Sequence, residues 1–392
     1  MFGRLRKTPK LGLKYGLVLL GLAVLIFFLY FWRLGTLTSG SSASETTARA
    51  ASSSISAIIN DPTYAPHKLL QFVSQKIFGH GAADIRIISV LSALFFLACF
   101  YWLVRGWFGK MIGLFATLFL AATPWFILIT RNGSPLILLL APLAILASYY
   151  WFAKVENLRA FYALFIVAGL SLYVPGMVWL IIVGYLLGRK DLGEHSANLK
   201  IISKFFAFIL AALIIVPLVY AGVKDLEVVK NIFLVPSEWA SAITTLKSIV
   251  WSALALVWRT PTHADFIIGH LPMYNIAQIA LAVFGGFALY KLARRKMYIL
   301  VFLGTFGILA AGIGRNLALL TFVLPAVAVA VAAGLRYLYM EWKSVFPKNP
   351  IPKYLAVALI AALAALHVSY GLRYSLIAWP NTTETKATFM LK

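Results

Sequence analysis

Apolar residues run in blocks along this chain, and short basic or Gly/Pro-containing breaks divide one block from the next. Most blocks hold about 16–20 apolar residues, the length that crosses a hydrocarbon core of roughly 30 Å. The pattern predicts about eleven spans, near 13–32, 87–104, 111–129, 135–152, 160–174, 176–188, 201–220, 276–291, 297–313, 317–335 and 354–371. The stretch "YVPGMVW" separates the fifth span from the sixth, because Pro and Gly interrupt a helical run.

Two long segments, 33–86 and 221–275, lie between spans and keep a helical rhythm. Ala48, Ala51, Ile55, Ile58 and Ile59 recur at helical spacing opposite Arg49, Ser52, Ser53 and Ser56. "NDP" at 60–62 supplies a stop, and a second pattern of Leu69, Leu70, Val73, Ile77 and Phe78 runs up to "GHG". "SEWASAITTLKSIVWSALALVW" repeats the theme in the second segment, with Trp residues that favour a membrane interface. Both segments are therefore expected to carry amphipathic helices lying in the interface. The fold class expected is an all-α polytopic membrane protein. Residues 1–392 form a single integral membrane domain, with a second outer loop at 221–275, C-terminal helices at 276–371 and a short polar outer tail at 372–392.

Composition agrees with this reading. The chain is 62% hydrophobic and only 12% charged, about half the charged fraction of soluble domains. Its net charge of +23 is spread over short clusters such as "GRLRKTPKLGLK", "GRKDLGEHSANLK" and "KLARRK" between apolar blocks. Such clusters are topology signals, so no nucleic-acid partner is expected, and membrane lipids are the anionic neighbours. With the N-terminus in the cytoplasm, most Lys and Arg fall in short inner loops. The long segments and the C-terminus then lie on the outer face of the plasma (cytoplasmic) membrane. Residues 13–32 read as a retained first helix. Cys99 is the one cysteine, which leaves no internal disulfide and no cysteine-rich metal site.

The chain has 12 acids. Glu156, Asp191, Glu194 and Glu341 fall in basic inner loops, where charge balance explains them. Glu45, Asp61, Asp84, Asp225, Glu227, Glu238, Asp265 and Glu384 fall on the outer side. No span has an acid at its centre, which argues against ion-coupled transport. Ser42-x-x-Glu45 fits a capping box, and a carboxylate at that boundary also fits a general base. Asp61 before Pro62 fits a turn, and Asp84 a helix start or loop ion pair. Arg131 in "PWFILITRNGSP" and Arg315 in "GIGRNLALL" stand alone on the outer side. Each can snorkel to the headgroups or hold a phosphate through paired hydrogen bonds. Lys68, Arg86 and Arg259 are further outer cations. His263, Asp265 and His270 share one loop but match no zinc signature, so no metal ligand set is assigned.

The order of these features resembles the membrane glycosyltransferases of the GT-C fold, above all the protein mannosyltransferase and aminoarabinose transferase group. That group has an "R-x-x-S-x-L" start to its second helical pair, a "P-W" helix end and an outer Arg. Arg86, Ser89, Leu91, Pro124, Trp125 and Arg131 occupy those places, and Arg315 and Pro325 match a later Arg-containing loop and Pro-containing helix. The likeness covers 1–190, a core that includes the first outer loop 33–86, and more loosely 297–335. It implies transfer of a sugar from a polyprenyl-phosphate-linked donor to a hydroxyl of a lipid, glycan or protein acceptor on the outer face. The family's first outer loop carries an acidic pair, and the aligned residues here are Ser44 and Glu45. Glu45 is then the expected base, Arg131, Arg315, Arg86 and Lys68 are candidates for the phosphate, and Asp61 and Asp265 are secondary acids. A divalent cation, Mg or Mn, is compatible with this chemistry. The competing class is a non-catalytic polytopic membrane protein, either a transporter or flippase or a structural subunit of an envelope complex.

Overall fold

The structure, a computed structural model, describes residues 13–79, 81–345 and 350–390. Arg4, Arg6, Lys7, Lys10 and Lys348, which contribute to the basic clusters, lie outside the described residues. Among those described, the regular elements are helices. Six are long and apolar enough to cross a membrane: Ala82–Phe108, Pro135–Val155, Ile201–Lys224, Arg294–Ile313, Leu317–Val345 and Tyr354–Asn381. A seventh is made if the pair Lys110–Ala121 and Pro124–Arg131 counts as one span bent by 64°. Leu158–Ser171 and Ile276–Leu292 stand where two further spans were expected. Their 14 and 17 residues reach only about 21–26 Å at ~1.5 Å per residue. The chain is an integral membrane protein of apolar helices.

The bend has an identifiable cause. Pro124 has no N–H to continue the helix, and it holds Thr123 in extended backbone (φ −66°, ψ 124°). Backbone groups freed by the break need partners in an apolar setting. Tyr30 Oη donates to the Ala121 carbonyl at 2.7 Å, and His367 Nε2 lies 2.9 Å from that of Phe119. Gln278 Nε2 donates to Thr123 Oγ1 at 2.7 Å. Thus three other helices fix the bend, and the bend aims Pro124–Arg131 at the first long loop.

Elsewhere small residues let helices touch. A Cβ on Gly285 would strike the Ala330 carbonyl, and one on Gly334 the Leu281 carbonyl. Ile276–Leu292 and Val323–Val345 therefore pack backbone to backbone, as membrane helices with small interfacial residues do. The break in "YVPGMVW" is present too. Gly176 takes a left-handed φ of 82°, favoured by glycine, just before helix Met177–Ser196.

The first long loop folds into helices Ala43–Ala51, Ile55–Asn60 and Ala65–Phe78. The last of these is inverted relative to a soluble surface helix. It buries His67, Lys68, Gln71, Ser74 and Gln75 against the protein and exposes Leu69, Leu70, Val73, Ile77 and Phe78. An apolar outer face with a polar face turned to the protein suits a helix bathed by lipid. The second long loop holds Leu226–Ile232 and Ala242–Val257, followed by an irregular stretch to Asn275.

The short C-terminal tail is folded. Beyond helix Pro350–Leu372 the chain makes a π-helical turn at Arg373–Ala378 and the short helices Trp379–Asn381 and Thr383–Thr388. Trp379 and Phe389 are buried and their rings meet edge to face at 5.2 Å. Two aromatic side chains, unremarkable in an otherwise polar segment, anchor the tail across both long loops.

Candidate functional site

Ser42 starts helix Ala43–Ala51 in extended backbone, and the capping box is formed in full. Ser42 Oγ accepts from the Glu45 N–H at 3.4 Å, and Glu45 Oε2 accepts from the Ser42 N–H at 3.1 Å. The same carboxylate makes a two-pronged pair with Arg86, which lies in the first turns of Ala82–Phe108. Arg86 Nε donates to Oε1 at 2.6 Å and Nη2 to Oε2 at 2.7 Å. A fourth donor, the Gly133 N–H, reaches Oε1 at 2.8 Å. Glu45 has no solvent exposure, and the Arg86 side chain keeps 3%. Each carboxylate oxygen accepts two hydrogen bonds, so the anion is fully partnered where a lone charge would be strongly disfavoured.

Arg86 is equally committed. Its remaining donors go to the carbonyls of Leu34 (3.0 Å) and Gly40 (3.0 Å) and to Thr38 Oγ1 (3.1 Å). Gly133 belongs to the turn after the bent helix, where Asn132 Oδ1 accepts from the Ser134 N–H at 2.8 Å. A Cβ at 133 would come within 2.6 Å of the Ile85 side chain, so the glycine lets the two pack closely where its N–H meets Glu45. Three separated pieces of sequence thus meet at one carboxylate.

One residue before Glu45, Ser44 faces the second long loop. Its hydroxyl donates to Asp265 Oδ2 at 2.9 Å. Asp265 is 9% exposed, and among the described residues its Oδ1 has no hydrogen-bond partner. Burial pushes the Asp265 carboxyl above its usual range. Ser44 and His263 oppose that shift, and the nearby Glu45 charge adds to it. The C-terminal segment grips this loop on both sides of Asp265. Trp379 Nε1 donates to the Ala264 carbonyl at 2.8 Å, and Tyr374 Oη accepts from the Ile268 N–H at 2.9 Å. It also reaches the first loop, because Ser39 Oγ donates to the Phe389 carbonyl at 2.9 Å. The Phe389 ring lies 5.8 Å from the Arg86 guanidinium.

The other expected site residues divide into three kinds. Arg131 lines the same small cavity as Arg86, beneath Trp379 and Phe389. Its guanidinium donates to the backbone carbonyls of Leu29 (2.9 Å), Tyr30 (3.2 Å) and Trp32 (2.7 Å), closing the end of helix Leu13–Phe31. Lys68 Nζ binds the Asp61 carbonyl and Oδ2, both at 2.7 Å, which ties down the turn after Ile55–Asn60. Burial alone would raise the Asp61 carboxyl, but the Lys68 ammonium and the hydrogen bonds from Thr63 together hold the group below its ordinary value. Arg315 is the exception. It is exposed, has a left-handed φ of 47°, and makes no hydrogen bond or ion pair among the described residues.

Arg315 occupies a second copy of the Arg131 turn. In both places Arg–Asn precedes a 3₁₀ helix, and the Asn side chain accepts from the N–H two residues on. The bond is 2.8 Å at Asn132 and 3.0 Å at Asn316. His270 and His263 serve the second loop itself: His270 Nδ1 lies 2.8 Å from the Thr260 carbonyl, and His263 stacks on Phe266 at 5.0 Å. Among the described residues no three His, Cys, Asp or Glu side chains converge on one point. Sequence reasoning did not single out Gly133, Trp379 or Phe389. The Asn-Gly turn signature in "RNGSP" was the one available signal for Gly133.

The family of dolichyl-phosphate-mannose-protein mannosyltransferases matches residues 67–221. No curated protein sequence matches the chain. Among solved structures it is similar to ArnT from Cupriavidus metallidurans in the apo state, with a TM-score of 0.62 and 15% identity over 95% of this chain and 78% of that one. The same protein bound to undecaprenyl phosphate gives a TM-score of 0.54 at 14% identity, over 96% and 74% of the two chains. The Archaeoglobus fulgidus oligosaccharyltransferase in its apo form gives 0.57 at 14% identity, over 94% of this chain and 57% of that one. The chain has the helical fold of the GT-C membrane glycosyltransferases.

Proposed function

We propose that this chain is a membrane glycosyltransferase that moves a sugar from a polyprenyl-phosphate-linked donor to an acceptor hydroxyl. The observation that carries the reading is the meeting of Glu45, Arg86, Ser44 and Asp265 where both long loops close over one end of a GT-C fold. Glycosyl transfer of this kind needs a base for the acceptor proton and cations for the departing phosphate. Carboxylates are present at that end, and Arg315 is a cation that makes no hydrogen bond or ion pair among the described residues. Exposed apolar helix faces offer a path for the isoprenoid tail. In this reading Glu45 fixes the architecture of the site, since base action by it would require the release of one of its four donors. The site end faces the outer side of the plasma membrane.

A non-catalytic membrane subunit is the second reading, and the saturation of Glu45 favours it. One assay separates the two. Purified full-length protein in lipid nanodiscs is given a panel of radiolabelled undecaprenyl-phosphate-linked sugars with lipid, glycan and peptide acceptors. Label moving to an acceptor supports the enzyme. No transfer with any donor, in protein that is folded and monodisperse, sinks it.

A further inference from the structure

The site contains two carboxylates, and they are not equivalent. Glu45 has no exposed surface and accepts four hydrogen bonds, two on each oxygen. Asp265 accepts one, from Ser44 on Oδ2, its Oδ1 has no partner among the described residues, and the residue keeps 9% exposure. A general base needs an unshared electron pair within reach of the proton it takes. We propose that Asp265, delivered by the second long loop, is the group that accepts the proton from the attacking hydroxyl, with Ser44 as its positioning residue. The assignment rests on the glycosyltransferase reading above.

The surroundings of Asp265 fit that task. Ser44 holds Oδ2, and Oδ1 has no hydrogen-bond partner among the described residues. The neighbouring residues Ala43, Thr46 and Thr47 are exposed, so the edge of helix Ala43–Ala51 beside Ser44 is open to an incoming acceptor. Loop residues on both sides of Asp265 are pinned by Trp379 and Tyr374, so the carboxylate is held by a rigid frame. A raised carboxyl pKa brings a base closer to operating pH and strengthens its pull on a hydroxyl proton. In the step, the acceptor O–H bond breaks and its proton goes to Asp265 Oδ1. The oxygen bonds to the anomeric carbon as the bond from that carbon to the phosphate oxygen breaks, and the electron pair leaves on the polyprenyl phosphate.

The test uses the nanodisc-embedded full chain and the most active donor and acceptor of the undecaprenyl-phosphate sugar panel. D265N is nearly isosteric and is expected to lower kcat by roughly 100-fold or more, with donor KM within twofold and thermal unfolding unchanged. S44A provides the second arm. Its hydroxyl holds the Asp265 carboxyl down, so its loss should move the acid limb of kcat/KM to higher pH, a shift that a merely structural role would not cause. If wild type transfers sugar while D265N keeps more than a third of its kcat, Asp265 is not the base and the enzyme reading stands. If S44A leaves the acid limb in place, the positioning role of Ser44 falls. If wild type transfers nothing, the function and this assignment fall together.

Discussion

Replacing Glu45 with Gln tests how the first loop is held. The substitution keeps the shape of the side chain and removes its charge. Either orientation of the amide points an NH₂ group at two donors, Arg86 with Gly133 on one side or Arg86 with Ser42 on the other. Arg86 is left as a buried cation with only carbonyl and hydroxyl partners. Breaking one side of a buried pair costs about 3–5 kcal/mol, a large share of the ~5–15 kcal/mol that stabilises a typical fold. At about 2 °C per kcal/mol, suited to long chains, thermal unfolding in nanodiscs should fall by roughly 6–10 °C. Intrinsic tryptophan fluorescence is the readout. The double variant E45M/R86M should recover part of the loss, because no unpaired charge remains in it, and the cycle should give a coupling above ~2 kcal/mol. E45Q unfolding within a degree of wild type would refute the claim that this ion pair organises the site.

Other substitutions separate structural from functional cations. R131A orphans three helix-end carbonyls and should cost about 3 kcal/mol in unfolding measurements; a raised donor KM with unchanged stability would return Arg131 to the phosphate. R315A touches no partner, so its stability should stay within ~0.5 kcal/mol while donor KM rises several-fold in initial-rate assays. His67, its Nε2 3.1 Å from Ser89 Oγ, is pushed by burial to a pKa of about 3 from an ordinary 6.5. The unfolded chain therefore takes up this proton first as pH falls. Stability from neutral His67 is complete above pH 6.5 and is lost between there and about pH 3. In H67Q the acid limb of the stability curve should flatten, and an unaltered limb would contradict this assignment.

Local chemistry was readable in the sequence wherever its partners are close along the chain. Ser42-x-x-Glu45 announces the capping box and "YVPGMVW" the break at Gly176, whereas the expected span 111–129 ran through Pro124, where the structure bends by 64°. Helical spacing located the loop helices. It could not say that Ala65–Phe78 turns its polar face inward, because amphipathicity has no sign until the surrounding medium is known. The cap and base readings of Glu45 were level on pattern alone. Geometry tilts them, because Arg86 and Gly133 lie 41 and 88 residues away and use up the carboxylate. Asp265 was named as a secondary acid, but distance hid its contact with Ser44, which spans 221 residues. Arg131 and Arg315 look alike in sequence and sit in matching turns. Only the carbonyl-rich end of the first helix makes one of them structural.

The tail anchor sets an order of events during biosynthesis. Glu45, Arg86 and Gly133 leave the ribosome early and complete one another without help from later sequence. Asp265 follows, and Phe389, whose ring covers Arg86, comes 303 residues after it. At about 5–20 residues per second that interval lasts roughly 15–60 s. For the first part of it the nascent chain holds a paired but uncovered arginine and no second carboxylate, and after residue 265 it holds both acids without the tail that pins the second loop. The covered arginine and the pinned second loop are therefore completed together, as a consequence of docking the tail.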